Sequence, residues 1–449
     1  MQGARKWIVL CGVFVATTLA HAVAEDKSAA ERGYEAIIGR TFVPGLWSTR
    51  TYENVWKQWG IDQKPDNYAE AIMARYGLHA APFDNKGLPM GLRRTRGLLG
   101  ESITNDCLIC HAGSIAGQSV IGLGNASLDF QSLFNEMYAT EGLPFRFPFH
   151  FSNARGTVEA GALLGYLMQF RDSDLRPQKP PLKLRYRDDL FEDVPAWWHL
   201  KRKQTMYHNG GVSARSVRSI MTFMLSPLNT SEWIKRQEPV FRDIQAWLET
   251  IEAPRYPFEI DSALAARGAD VFRQNCVRCH GTYGPGGEYP NKHVPLEVIG
   301  TDRNLAEGFS IEFLAHYADS WFAQESGPDG DSYVQFKPGY QAPPLDGIWA
   351  TAPYFHNGSV PTVYDVLNSS GRPAVFTRSY RTEREDYDTH KLGWRVTALE
   401  EPPAEDLDAR TARTIYDTTR PGRRNSGHTF GDHLSDADRM AVIEYLKTL

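Results

Sequence analysis

The chain has 449 residues, a net charge of −5 and a composition that is 42% hydrophobic and 23% charged. Charge this mild and scattered argues against a nucleic-acid partner, and no stretch beyond the N-terminus is long or apolar enough to span a membrane. The length suggests two to three domains.

At the N-terminus, Arg5 and Lys6 precede an apolar run from Trp7 to Ala20 and then Ala22-Val23-Ala24. This is the pattern of a secretory signal peptide, expected over residues 1–24. The run is short for a membrane anchor, and Leu10 before Cys11 is not the small residue of a lipoprotein signal. Cleavage after Ala24 removes Cys11, and the four cysteines that remain all lie in one kind of motif, so no structural disulfide is expected.

From Glu25 to about Gly100, helix-like segments such as Tyr68–Tyr76 are interrupted by glycine and proline. Cys107-Leu108-Ile109-Cys110-His111 comes next, and then helices joined by long loops, such as 145–150, up to about Thr250. Residues 251–258 hold two prolines and no helical period. They read as a linker between a first domain with its N-terminal extension (25–250) and a second domain (259–449).

The second domain opens on a helix whose Leu264, Gly268, Val271 and Phe272 share one face, and which runs into Cys276-Val277-Arg278-Cys279-His280. A terminal helix is capped by Ser435 and carries the stripe Val442, Tyr445, Leu446, Leu449. These are the two helices that cross in a cytochrome c fold, with Gly268 at the close approach. No comparable glycine-bearing helix precedes Cys107. Neither domain shows the alternation of a large sheet, so the expected fold is mostly α: two cytochrome c-like haem domains with long loops and helical extensions.

C-x-x-C-H is the attachment site of c-type haem: the thiols bond the porphyrin vinyl groups and the histidine becomes the proximal iron ligand. The same cysteine pairs could instead build a four-thiolate zinc site or a redox dithiol. The histidine after each pair and the signal peptide favour haem. Two covalently bound haems are expected, on Cys107, Cys110 and His111 and on Cys276, Cys279 and His280. Export fits, because such haem is attached outside the bacterial cytoplasm, and places the protein in the periplasm.

The sixth ligand on each iron separates electron transfer from chemistry. His356, His428 and Met440 are the downstream candidates for the second haem. Met440, beside the apolar stripe, reads as core, whereas His428 lies in a loop with glycine on both sides. His150, His199 and His208 are candidate polar groups above the first iron, each with the alternative of an ordinary surface or core histidine. Trp197-Trp198 could line a pocket, relay electrons or pack. The cluster Arg93-Arg94-Thr95-Arg96 is a solvated face or a partner for haem propionates.

The segment 352–362, A-P-Y-F-H-N-G-S-V-P-T, resembles the A-P-Y-F-H-D-G-S signature of bacterial di-haem cytochrome c peroxidases, and the order of motifs agrees. The runs 416–422 and 425–431 resemble the rubber-oxygenase-like branch of that superfamily. In the peroxidases, the resemblance implies a methionine ligand to the second iron fourteen residues past the signature histidine, where this chain has Ser370. It also implies a removable histidine sixteen residues past the first C-x-x-C-H, where this chain has Ser127. The oxygenase-like branch makes His428 the replacement ligand of the second iron, with His356 as the fallback, and leaves the first iron open.

By this resemblance the protein is an exported oxidoreductase. Its first haem activates hydrogen peroxide or dioxygen, and its second handles electrons, with a small redox protein as a possible donor. The peroxidase relatives also hold calcium. The alternative is a non-catalytic di-haem electron carrier or the cytochrome subunit of a dehydrogenase.

Overall fold

The structure is a computed structural model that describes residues 27–97, 100–143, 147–185, 187–401 and 406–449. The signal-peptide segment and part of the loop 145–150 lie outside the described residues. Among the described residues no helix is long and apolar enough to cross a membrane.

The expectation of a mostly α chain holds only in part. Helix accounts for 36% of the described residues. Among the described residues, two three-stranded and four two-stranded sheets stand between the helices. The longest strands, Leu92–Gly97 and Gly100–Asn105, pair antiparallel immediately before the first motif, with Trp47–Ser48 on their free edge. A hairpin therefore delivers Cys107 where a cytochrome c fold would use a helix. Most other strands are two to four residues long, too short to print an alternating pattern on the sequence.

Helix Ala29–Gly39 begins in a capping box made by Ser28 and Glu31 and packs along Glu238–Leu248. Gly33 makes the contact possible, since a Cβ there would stand 2.0 Å from the Asp243 carbonyl oxygen. Arg32 secures it with paired bonds to the Asp243 carboxylate at 2.7 and 2.8 Å. The N-terminal extension is thus fastened to the last helix before the linker.

In the C-terminal half, Ser262–Asn275 starts at Asp261, whose carboxylate accepts the Ala263 and Leu264 N–H groups. It crosses Asp436–Leu446, capped by Ser435. Gly268 sits at the crossing: a Cβ there would lie 1.8 Å from the Ala441 carbonyl oxygen. Phe272 and Tyr445 pack alongside with ring centres 5.2 Å apart. Overpacking typically costs 1–3 kcal/mol, so Gly268→Val is expected to lower stability by about 3 kcal/mol, read as an earlier urea midpoint. Residues 251–258 form neither helix nor strand, but Tyr256 and Phe258 are seated against Trp349 and Tyr387 with ring centres 5.4 and 6.1 Å apart.

Candidate haem site

The first motif is anchored from the hairpin. Asp106 accepts the Leu108 N–H at 2.8 Å, which starts the short helix Leu108–His111, and pairs with the buried Arg93 at 2.6 Å. Arg93 also donates to the Ile37 and Ile38 carbonyls, and Arg94 pairs with Glu101 at 2.9 Å. Arg93 is thus committed to the scaffold, whereas Arg94 makes a surface pair across the hairpin. Burial pushes the Cys107 and Cys110 thiols up to about 12. It pushes His111 down to about 4, so the ring is a neutral imidazole, the form that binds iron.

The second motif continues from Ser262–Asn275 into the short helix Val277–His280. The His280 Nδ1–H donates to the Pro343 carbonyl at 2.9 Å, leaving Nε2 with the lone pair a metal needs. The Pro195 carbonyl takes the same place beside His111, too loosely aligned for a full hydrogen bond, and Nδ1 is otherwise buried without a partner.

Both motifs face one cavity of about 880 Å³, lined mainly by apolar side chains. Among the described residues no group of three or more histidine, cysteine or acidic side chains is arranged to hold a metal ion. Among the described residues the cysteine pairs therefore do not converge on a four-thiolate zinc site. The arrangement fits haem instead, which carries its own metal ligands and needs an apolar slot beside each C-x-x-C-H.

His428 lines this cavity opposite His280. Its ring centre is 6.3 Å from that of His280. With imidazole–metal bonds of about 2.0 Å, that spacing would leave room for a metal ion held between the two rings.

The loop is built to hold that position. His428 has a left-handed backbone, φ 46°, and its N–H donates to the Ile299 carbonyl at 2.7 Å. A Cβ on Gly427 would lie 2.2 Å from the Gly300 carbonyl carbon, so only glycine fits. Arg372 donates to the carbonyls of Asn425, Gly427 and His428 at 2.6, 2.7 and 3.3 Å. Burial, with the nearby His280, brings His428 down to about 4.

The other candidates go elsewhere. His356 is buried against Tyr340, with ring centres 4.0 Å apart and a 3.0 Å bond between Nε2 and the tyrosine hydroxyl. His208 stands 6.3 Å from His356, but its Nε2 is spent on the Asp193 carbonyl at 2.7 Å. His199 bonds the Asp346 carbonyl at 2.9 Å, and His150 pairs on the surface with Asp188 at 2.7 Å. Met440 packs against the core that contains Val442 and Leu446. Ser370 bonds Asn368, and Ser127 is buried with its carbonyl against Gly77. Trp197 stacks on His111 at 4.6 Å and 21°. The Trp198 Nε1–H donates to the Asp346 carbonyl at 2.8 Å.

Sequence reading missed the acidic wall of the cavity. Glu159, Glu192 and Asp193 all line it, and burial raises all three carboxyls, Glu192 to about 7. Glu192 Oε1 accepts the Gly161 N–H at 3.1 Å, while Oε2 has no hydrogen bond among the described residues. The group stands near enough to Cys110 to raise that thiol. The only signal in the sequence was its place just before Pro195-Ala196-Trp197-Trp198.

Two cysteines and a following histidine in each of two cavity-facing motifs define a c-type cytochrome, whose cofactor is covalently bound haem c with its iron. Residues 339–377, which contain the whole of the segment 352–362, match the family described as RoxA-like, cytochrome c-like. Over that segment the chain is similar to cytochrome c-like proteins.

It is 28% identical over 321 residues to the uncharacterized protein y4iM of Sinorhizobium fredii, across 62% of this chain and 68% of that protein. It is 30% identical over 262 residues to y4iJ of the same organism, across 44% of this chain and 41% of that protein, so it spans less than half of y4iJ. Among solved structures, hydrazine synthase of Kuenenia stuttgartiensis shares 14% identity over 64% of this chain and 88% of that one, with a TM-score of 0.29. A MauG-like protein associated with microbial copper homeostasis shares 16% identity over 68% and 95%, with a TM-score of 0.30.

Proposed function

We propose that the protein is an exported di-haem oxidoreductase whose first haem, on Cys107, Cys110 and His111, is open to an oxidant and whose second, on Cys276, Cys279 and His280, is closed by His428. The observation that supports this reading is an asymmetry. His428 lines the cavity with its ring centre 6.3 Å from that of His280, while among the described residues the only aromatic or imidazole ring in contact with His111 is that of Trp197, stacked on it. Bound haem supplies an iron that gives and takes electrons and, where one axial position is open, takes up a small molecule.

The protein's own residues do the rest. The Pro343 carbonyl would orient the His280 imidazole, and the Trp197 ring would steady that of His111. Glu192 Oε2 takes a proton from one oxygen of hydrogen peroxide and returns it to the other. Trp197 and Trp198 bridge His111 to the backbone that bears Pro343, the route by which electrons pass between the two sites. The oxidant is hydrogen peroxide or dioxygen, the electron donor a small redox protein, and the location the periplasm.

Carbon monoxide added to the reduced protein and cyanide added to the oxidised protein test this. One haem is expected to bind each ligand and the other to stay low-spin. Two low-spin haems that bind neither would defeat the reading in favour of an electron carrier. Turnover of hydrogen peroxide with reduced cytochrome c, against oxygen uptake with an unsaturated hydrocarbon, separates peroxidase from oxygenase.

A further inference from the structure

Lys203 is a cation facing the interior with nothing to balance it. It lies just past the turn Trp197–His199, and its side chain forms part of the wall of the cavity that both motifs share. Its two neighbours each have a carboxylate: Lys201 pairs with Glu252 at 2.6 Å and Arg202 with Asp346 at 3.0 Å. Lys203 Nζ makes no hydrogen bond and no ion pair among the described residues. Of the residues that line the cavity, Lys203 and Arg278 are the only lysine or arginine side chains among those described, and Arg278 is exposed to solvent. Burial lowers the Lys203 ammonium to about 8. The side chains it acts on are His199 and His208, both of which it pushes further towards the neutral form.

An ammonium that opens onto a mainly apolar cavity and has no carboxylate partner among the described residues marks a place for an anion. The acidic groups in the same cavity do not serve, since neither Glu192 nor Asp193 is paired with it. What enters the cavity with haem is two propionate carboxylates per porphyrin. One of them would be drawn to Lys203, the one cavity-lining ammonium among the described residues.

We infer that Lys203 is the counter-cation of a haem propionate, holding it by a charge-assisted hydrogen bond from Nζ. The inference rests on haem attachment at the C-x-x-C-H motifs and not on which iron is open, so its failure and that of the proposed function are distinguishable.

A positive charge beside a haem favours the reduced iron. Lys203→Met, similar in length and uncharged, is expected to move the reduction equilibrium of one haem about tenfold towards the oxidised form, about 59 mV for one electron. The other haem should keep its potential, and Lys203→Arg should restore the first. Spectroelectrochemical titration of the holoprotein reads both couples, with haem content checked in the same samples. Two unchanged potentials in Lys203→Met, or an equal shift in Lys203→Arg, would overturn the inference. Resonance Raman provides a reading on the native protein. A propionate bending band that moves when H2O is exchanged for D2O, and ceases to move in Lys203→Met, supports the bond. A native band that stays in place overturns it.

Discussion

Glu192→Gln is expected to slow peroxide turnover by about 10²- to 10⁴-fold while leaving both haems attached and their spectra unchanged. The substitution keeps the shape and the bond from the Gly161 N–H to Oε1 and removes only the capacity to accept a proton. Glu192 suits the task because burial raises it from 4.5 to about 7, near the pH at which proton transfer in both directions is efficient. It must be ionised to accept the first proton, so native activity should rise with pH and level off above about 7. In the glutamine variant that rise should vanish.

The same shift predicts a stability effect of definite sign. The folded state holds the Glu192 proton up to a higher pH than the unfolded chain does. The stabilisation from the bound proton is therefore complete below about 4.5 and is lost as pH rises from there to about 7. Above that range Glu192→Gln should be the more stable protein and the poorer catalyst, a trade common at active sites. Peroxide turnover at the native rate in the variant would remove Glu192 from the proton path.

His428→Ala is expected to convert the second haem from low-spin and six-coordinate to high-spin, and to let it bind carbon monoxide and cyanide as the first does. The effect should be all or none, because among the described residues no other imidazole ring is in contact with that of His280. Loss of the side chain should leave the loop in place, since its position comes from the His428 N–H to the Ile299 carbonyl, the tight contact of Gly427 and the bonds from Arg372. Substitution of His356, packed on Tyr340, should leave the spin state unaltered. An unchanged spectrum in His428→Ala, or high spin in a His356 variant, would reverse the assignment.

What could be read from the sequence were the features that a few adjacent residues determine. C-x-x-C-H is one such feature, and so are the caps at Asp261 and Ser435. Gly268 belongs with them, because a glycine on the apolar face of a helix leaves few explanations besides close approach. What could not be read depends on distant partners. Arg93 and Arg94 looked like a charged surface, and only the pairing of the hairpin shows Arg93 buried beside Asp106. His356 and His428 were separable by local glycine content but not by position, which is fixed by Tyr340 for one and Arg372 for the other. Glu192 carries no local mark at all: what raises its carboxyl is burial, and burial comes from the whole fold.

The cavity also bears on the order in which the protein can be assembled. The wall of the cavity that the first motif faces draws on Tyr340, Tyr354 and His356, which are synthesised long after Cys107 and Cys110. The backbone beside His111 is likewise completed from downstream, where the Asp193 N–H donates to the His356 carbonyl at 2.7 Å. Haem joined to the earlier motif as the chain emerges would meet an unfinished pocket, open to solvent and to oxidants. Only arrival of the C-terminal segments closes it, so a nascent or truncated chain would carry a haem whose reactivity is not yet governed by the protein.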